Sequence, residues 1–185
     1  NGSTVVIVGL GDIGQYYAKL VKAMGAYVIG VKRRASDRPE CVDELCLTEN
    51  LKDVLPRADV VMSVLPGTKA TQHIYSEEYF DSMKDSALFI NCGRGNAVAT
   101  DVLYKVLKEK KITAAAVDVT EIEPLPADSK LWGLENLIIT PHVCGGYHLP
   151  TTLSKIADIA AANLKAYLAN EQLRNVVDFA TGYKK

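Results

Sequence analysis

A short β-branched run at residues 5–8 ends at Gly9, and the six residues that follow from there read GLGDIG. Apolar residues then recur at helical spacing (Ile13, Tyr17, Leu20, Val21, Met24) until Gly25 stops the helix, and residues 27–31 return to strand character. A strand, a glycine turn, a helix and a second strand within about 30 residues form a βαβ unit with parallel strands. In that context each glycine has a task. Gly9 permits the tight turn, Gly11 lets the backbone come close to a pyrophosphate, and Gly14 lets helix pack on strand. The unpaired N–H groups of the helix start face the same point. Gly9, Gly11, Asp12, Ile13 and Gly14 are therefore candidate contacts for a dinucleotide.

The alternation continues. Strands are expected at residues 59–65, 87–91, 114–119 and 137–140, and helices near 51–55 and at 76–83, 101–110 and 151–168. In the third of these helices Val102, Val106 and Leu107 form one side. The strands are almost wholly apolar, which implies a parallel sheet covered on both faces. The expectation is one α/β domain over residues 1–185, a doubly wound, Rossmann-type dinucleotide-binding domain. Ligands in such sheets bind beyond the carboxyl ends of the strands, where Leu65, Pro66 and Gly93 are further candidate cofactor contacts.

Composition narrows the partners. The net charge is −1, without the basic excess of a nucleic-acid or anionic-membrane binder. No apolar run approaches the ~20 residues of a bilayer span. The opening NGSTVVIVG has no basic region ahead of its apolar stretch, so it does not read as a secretion signal. Cys41, Cys46, Cys92 and Cys144 form no C-x-x-C pair and suggest thiols in a reducing cytoplasm, with no metal site.

The end of the second strand bears on which dinucleotide binds. An NAD site places an acid there for the ribose 2′-hydroxyl. This chain has Lys32-Arg33-Arg34 and no carboxylate before Asp37. Three cations suit a 2′-phosphate, so the reading is NADP, with NAD as the other option. Three more residues follow separate strands: Arg94 in INCGRG, Glu123 in the loop after residues 114–119, and His142 behind Pro141. A guanidinium is the two-point partner of a carboxylate, and an imidazole can move a proton. His73, expected on a helix, and His148, at a helix start, read as structural.

The motifs VGLGDIG, LPGTKAT, INCGRG, DVTEIEPLP and TPHVCGG, in that order, resemble the cofactor domain of the D-isomer-specific 2-hydroxyacid dehydrogenases. The resemblance covers essentially the whole chain. It implies that Arg94 binds the substrate carboxylate, Glu123 supports the histidine and His142 is the general acid/base. It places Asp118 near the nicotinamide and adds Thr71, Cys92 and Gly145 as cofactor neighbours. It implies reduction of a small 2-oxo acid such as a glyoxylate- or hydroxypyruvate-like molecule, and a homodimer built through this domain, with regions 100–110 and 125–132 as candidates. Lys32 departs from the family's acid, and Lys130 stands where a proline is common. Family members carry a substrate domain as well, so this chain is expected to be the cofactor half of a longer enzyme, with residues 172–185 leading back toward the other half. A dinucleotide-binding regulator resembling the corepressors of this architecture is the alternative, as is a fragment that binds nucleotide without turnover.

Overall fold

The computed structural model describes residues 2–145, 150–180 and 183–184. The chain divides into two compact units, Asn1–Pro141 and His142–Lys185. The first contains β1 (Thr4–Val8), α1 (Asp12–Ala23), β2 (Tyr27–Lys32), β3 (Glu44–Leu47), α2 (Leu51–Val54), β4 (Val60–Ser63), α3 (Glu77–Asp81), β5 (Leu88–Asn91), α4 (Thr100–Lys108), β6 (Ala114–Val117) and β7 (Leu137–Ile139). These strands form one sheet in the order β3-β2-β1-β4-β5-β6-β7, and every pairing in it is parallel. The chain runs outward in one direction from β1 and resumes on the other side at β4. The crevice between β1 and β4 is thus the point where the strand order reverses, the usual ligand site of such sheets.

Side chains alternate across a strand, and the two cores follow that alternation. Val6 and Val8 of β1 join Ile29, Val31 and Val61 in the larger core, which α2, α3 and α4 cover through Leu51, Val54, Phe80, Leu103, Val106 and Leu107. Val5 and Ile7 face the other way, with Val28 and Met62, under Leu10 and Ala18. Within the larger core Phe89 meets Tyr75 and Phe80 edge-on, with ring centroids 5.0 and 5.2 Å apart. Edge-to-face packing suits the ring quadrupoles and adds to the area buried.

The expected elements appear, with differences at several places. β3 is an additional edge strand in a stretch for which no element was expected. Its residues are only partly buried, and so short an outer strand leaves little periodicity to read. The strand expected at 59–65 narrows to Val60–Ser63, and the helix expected at 76–83 narrows to Glu77–Asp81, with Ser76 at its N-cap. In α4 Leu103 lies buried with Val106 and Leu107, and Val102 packs partly buried against the same core. His73 is not helical. It lies in a turn with a left-handed backbone, φ 50°. His148 lies outside the described residues.

The second unit contains α5 (Pro150–Leu168), β8 (Val177–Asp178) and β9 (Tyr183–Lys184), the two strands pairing antiparallel. Leu153, Ile156, Ile159, Leu164 and Leu168, apolar positions of α5, are exposed.

An ion-paired cluster ties α3 to the α4 end of the first unit. Glu77 meets Lys105 at 2.6 Å and Lys111 at 2.8 Å, and Asp81 meets Lys111 at 2.5 Å. Hydrogen bonds from the two ammonium groups hold the Glu77 carboxyl down at about 2. A carboxylate depressed in the folded state stabilises it above the unfolded-state value, and that contribution fades as pH falls toward the folded one. Thermal melts between pH 5 and pH 2 should therefore show a shallower acid decline in Glu77→Gln than in the parent. Parallel curves would show that the cluster contributes nothing, and added salt should narrow the difference because the groups remain partly open to solvent.

Candidate active site

The glycine turn has the geometry its sequence implies. The Gly9 N–H donates to the Val31 carbonyl at 2.9 Å, and Gly9 has φ +106°. A Cβ on Gly9 would stand 2.8 Å from the Val64 carbonyl oxygen, and one on Gly14 only 2.0 Å from the Gly9 oxygen. Both glycines are therefore required by close packing. Gly11 differs. It is the N-cap of α1, and a Cβ there would meet nothing within 4 Å. An open N-cap on a twelve-residue helix at the switch point is a cradle for a diphosphate, so the residues present fit a dinucleotide. Asp12 and Ile13 are exposed beside it.

At the end of β2 the Lys32 ammonium donates to the Ser36 hydroxyl at 2.6 Å, folding the loop back on itself. Arg33 and Arg34 are exposed in the bend that follows.

Three further loops interlock at the carboxyl edge of the sheet. Gly93 crosses the segment after β4 so closely that a Cβ would lie 2.6 Å from both the N and O of Leu65. Gly95 presses on the acidic loop, where a Cβ would stand 1.9 Å from the Thr120 oxygen. Gly67 lies under Arg94, whose Cγ would be 3.2 Å from an added Cβ. The two glycines flanking Arg94 thus serve close approach of backbones. Neither has a left-handed φ. Arg94 itself is exposed, in extended backbone, and its Nη1 donates to the Gly93 carbonyl at 2.8 Å.

Bonded side chains hold these loops, and one of them, Asn91, is a residue that the sequence motifs did not single out. The buried Asn91 amide donates to the Arg94 carbonyl at 3.1 Å and accepts the Gly93 N–H at 3.1 Å. An amide at the end of an otherwise apolar strand was the available signal. The Thr71 hydroxyl is buried, donating to the Pro66 carbonyl at 2.6 Å and accepting the Thr68 N–H at 2.9 Å. Its visible work is to brace the LPGT loop. Asp118, 5% exposed, accepts the Thr140 hydroxyl at 2.5 Å. Glu123 is exposed and accepts the Thr120 N–H at 3.1 Å. Cys92 is half-buried, its N–H donating to the Ser63 carbonyl at 3.0 Å.

The first unit therefore brings the glycine turn, Leu65, Pro66, Thr71, Cys92, Gly93, Arg94, Asp118 and Glu123 to the same edge of one sheet. His142 begins the second unit, with φ 55°, and Gly145 lies in a turn of that unit.

A parallel sheet with an open glycine turn at its switch point defines a dinucleotide-binding domain. Residues 1–144 match the model of the D-isomer specific 2-hydroxyacid dehydrogenase NAD binding domain, and the chain belongs to that family. It is 36% identical over 174 residues to the human glyoxylate reductase/hydroxypyruvate reductase, a match covering 92% of this chain and 52% of that protein. A crystal structure of a D-isomer specific 2-hydroxyacid dehydrogenase family protein from Aeromonas salmonicida is 39% identical, with a TM-score of 0.87 over 97% of this chain and 56% of that one. The NADPH-dependent glyoxylate/hydroxypyruvate reductase of Sinorhizobium meliloti, solved with NADP and sulfate, is 30% identical, with a TM-score of 0.89 over 98% of this chain and 57% of that one. The chain spans about half the length of most of the curated relatives it matches. Among the described residues no helix is long and apolar enough to cross a membrane, and no group of three or more His, Cys, Asp or Glu could hold a metal.

Proposed function

We propose that the whole protein reduces a small 2-oxo acid to the D-2-hydroxy acid, or runs the reverse reaction, with NADPH preferred over NADH. The observation that carries this reading is the locking of the Arg94 loop between Gly67 and Thr120, on the sheet edge that also bears the open glycine turn. When bound, the nicotinamide supplies or accepts hydride at the substrate's carbonyl carbon. Gly11 and the first N–H groups of α1 hold the pyrophosphate. Arg94 pairs with the substrate carboxylate and orients the carbonyl. His142 gives a proton to the carbonyl oxygen as charge develops there, and Glu123 orients the imidazole. Glyoxylate and hydroxypyruvate, the substrates named for the relatives above, are the first acids to try. A homodimer is part of the reading, supported by the exposure of Ile122 and Trp132 in and beside the acidic loop.

Cofactor choice is assigned to Lys32, Arg33 and Arg34. A charge-assisted hydrogen bond contributes about 1.5–3 kcal/mol, so one good contact to a 2′-phosphate favours NADPH by roughly tenfold or more. Fluorescence titration should give a dissociation constant for NADPH at least about tenfold below that for NADH. The ratio should collapse in the Arg33→Ala/Arg34→Ala variant and shrink with added salt. Equal affinities in the parent protein would remove the assignment. Dinucleotide binding without turnover of any 2-oxo acid would favour the regulatory reading.

A further inference from the structure

His73 and Glu121 lie outside the proposed chemistry, yet they join the loops that carry it. The His73 Nε2 and the Glu121 Oε1 are 2.7 Å apart. The other oxygen, Oε2, accepts the backbone N–H of Thr100 at 2.7 Å, at the first residue of α4. The His73 N–H donates to the Asn96 carbonyl at 2.8 Å, and the Tyr75 N–H donates to the Ala97 carbonyl at 3.1 Å. Residues 95–97 are thus boxed in, with the Thr120 backbone against Gly95 on one side and the segment 73–75 on the other. The His73–Glu121 bond closes the box.

Two features distinguish this pair from an incidental surface contact. His73 adopts φ 50°, a left-handed conformation that persists in a non-glycine residue only where the surroundings enforce it. The Glu121 side chain is 28% exposed and the His73 side chain 45%, but both Glu121 oxygens are engaged, and its carboxyl lies below the usual range, chiefly through the Thr100 N–H. It is therefore ionised at neutral pH and a strong acceptor. Glu121 is two residues from Glu123, whose carboxylate is bonded to the same turn through the Thr120 N–H.

We propose that His73 and Glu121 form a latch that positions the Arg94 and Glu123 loops against each other, holding the carboxylate-binding end of the site in register without touching substrate. For its effect on turnover the inference rests on the function proposed above. For its effect on the loops it does not.

The test compares His73→Ala, Glu121→Ala, the double variant and His73→Gln, whose amide can donate over a similar reach. A latch predicts that each alanine variant raises KM for the 2-oxo acid by about tenfold or more, since small misplacements of binding groups are costly. KM for NADPH should stay within about twofold, because the glycine turn is held separately by β1 and β4. The double variant should be no worse than the worse single variant, and His73→Gln should recover most of the loss. Equal rises in KM for acid and cofactor, or an unchanged KM for the acid, would overturn the latch. Amide exchange at Tyr75, Ala97 and Thr100 gives a readout independent of turnover. Exchange there should accelerate in both alanine variants while α1 amides stay unchanged. If the parent protein reduces no 2-oxo acid, the proposed function fails, and the latch stands on accelerated exchange or falls on unaltered exchange.

Discussion

Replacing His142 with asparagine should lower kcat for 2-oxo acid reduction by about 10²–10⁴, the usual contribution of a positioned general acid. KM for the acid should change far less. The expectation follows from where charge develops. On the proposed reaction, hydride arriving at the carbonyl carbon would leave an alkoxide, and a proton given by the His142 ring would remove that charge as it forms. Asparagine is the informative replacement because of the backbone. His142 has φ 55°, and asparagine tolerates that left-handed conformation, where alanine would add strain of its own. An asparagine variant separates loss of the proton donor from loss of the local fold. Arg94→Ala should give the complementary result, a large rise in KM for the acid with a smaller change in kcat, because a two-point charged pair acts in the ground state as well as the transition state. Steady-state kinetics on the whole protein read both. Retention of full kcat by His142→Asn would exclude the proton-transfer role.

The degree to which this chain could be read from its sequence depended on the range of the interaction involved. The βαβ unit was legible because its signal is local: an apolar strand, three glycines at fixed spacing and one amphipathic helix. In the fold those glycines have distinct tasks, with Gly9 and Gly14 packed against backbone and Gly11 open. Arg94 and Glu123 were legible as strand-end residues for the same reason. The edge strand Glu44–Leu47 was not, since it is made by pairing with β2 rather than by its own pattern. Gly95 shows the limit well. Its neighbour is Thr120, which is distant in sequence and close only after the sheet is assembled. His73 shows it again. The sequence pattern puts it on a helix, but its backbone bonds to Asn96 and its ring to Glu121, contacts that sequence periodicity does not record. The aspect most open to a sequence reading was which residue types reach the carboxyl edge, and the aspect least open was what holds them there.

Two glycines three residues apart in the same turn should respond in opposite ways to the same added methyl group. Gly14→Ala would place a Cβ 2.0 Å from the Gly9 carbonyl oxygen. That oxygen belongs to a residue whose own N–H is bonded to Val31 and which is already pressed against Val64, so there is little freedom to yield. Overpacking of this kind costs about 1–3 kcal/mol or more. In a domain of this size the melting temperature should fall by about 2–4 °C for each kcal/mol lost. Gly11→Ala meets nothing within 4 Å and has an ordinary φ of −74°, so its melting temperature should match the parent's. Its effect should appear only when a dinucleotide is offered. A methyl group on the open N-cap would keep the pyrophosphate from the N–H groups of α1, and loss of one or two charge-assisted bonds weakens binding by about 10- to 100-fold. Calorimetric melting together with nucleotide titration checks both variants. If Gly11→Ala binds NADPH as tightly as the parent while Gly14→Ala melts at the parent's temperature, the glycine turn is neither the packing joint nor the phosphate cradle that its geometry implies.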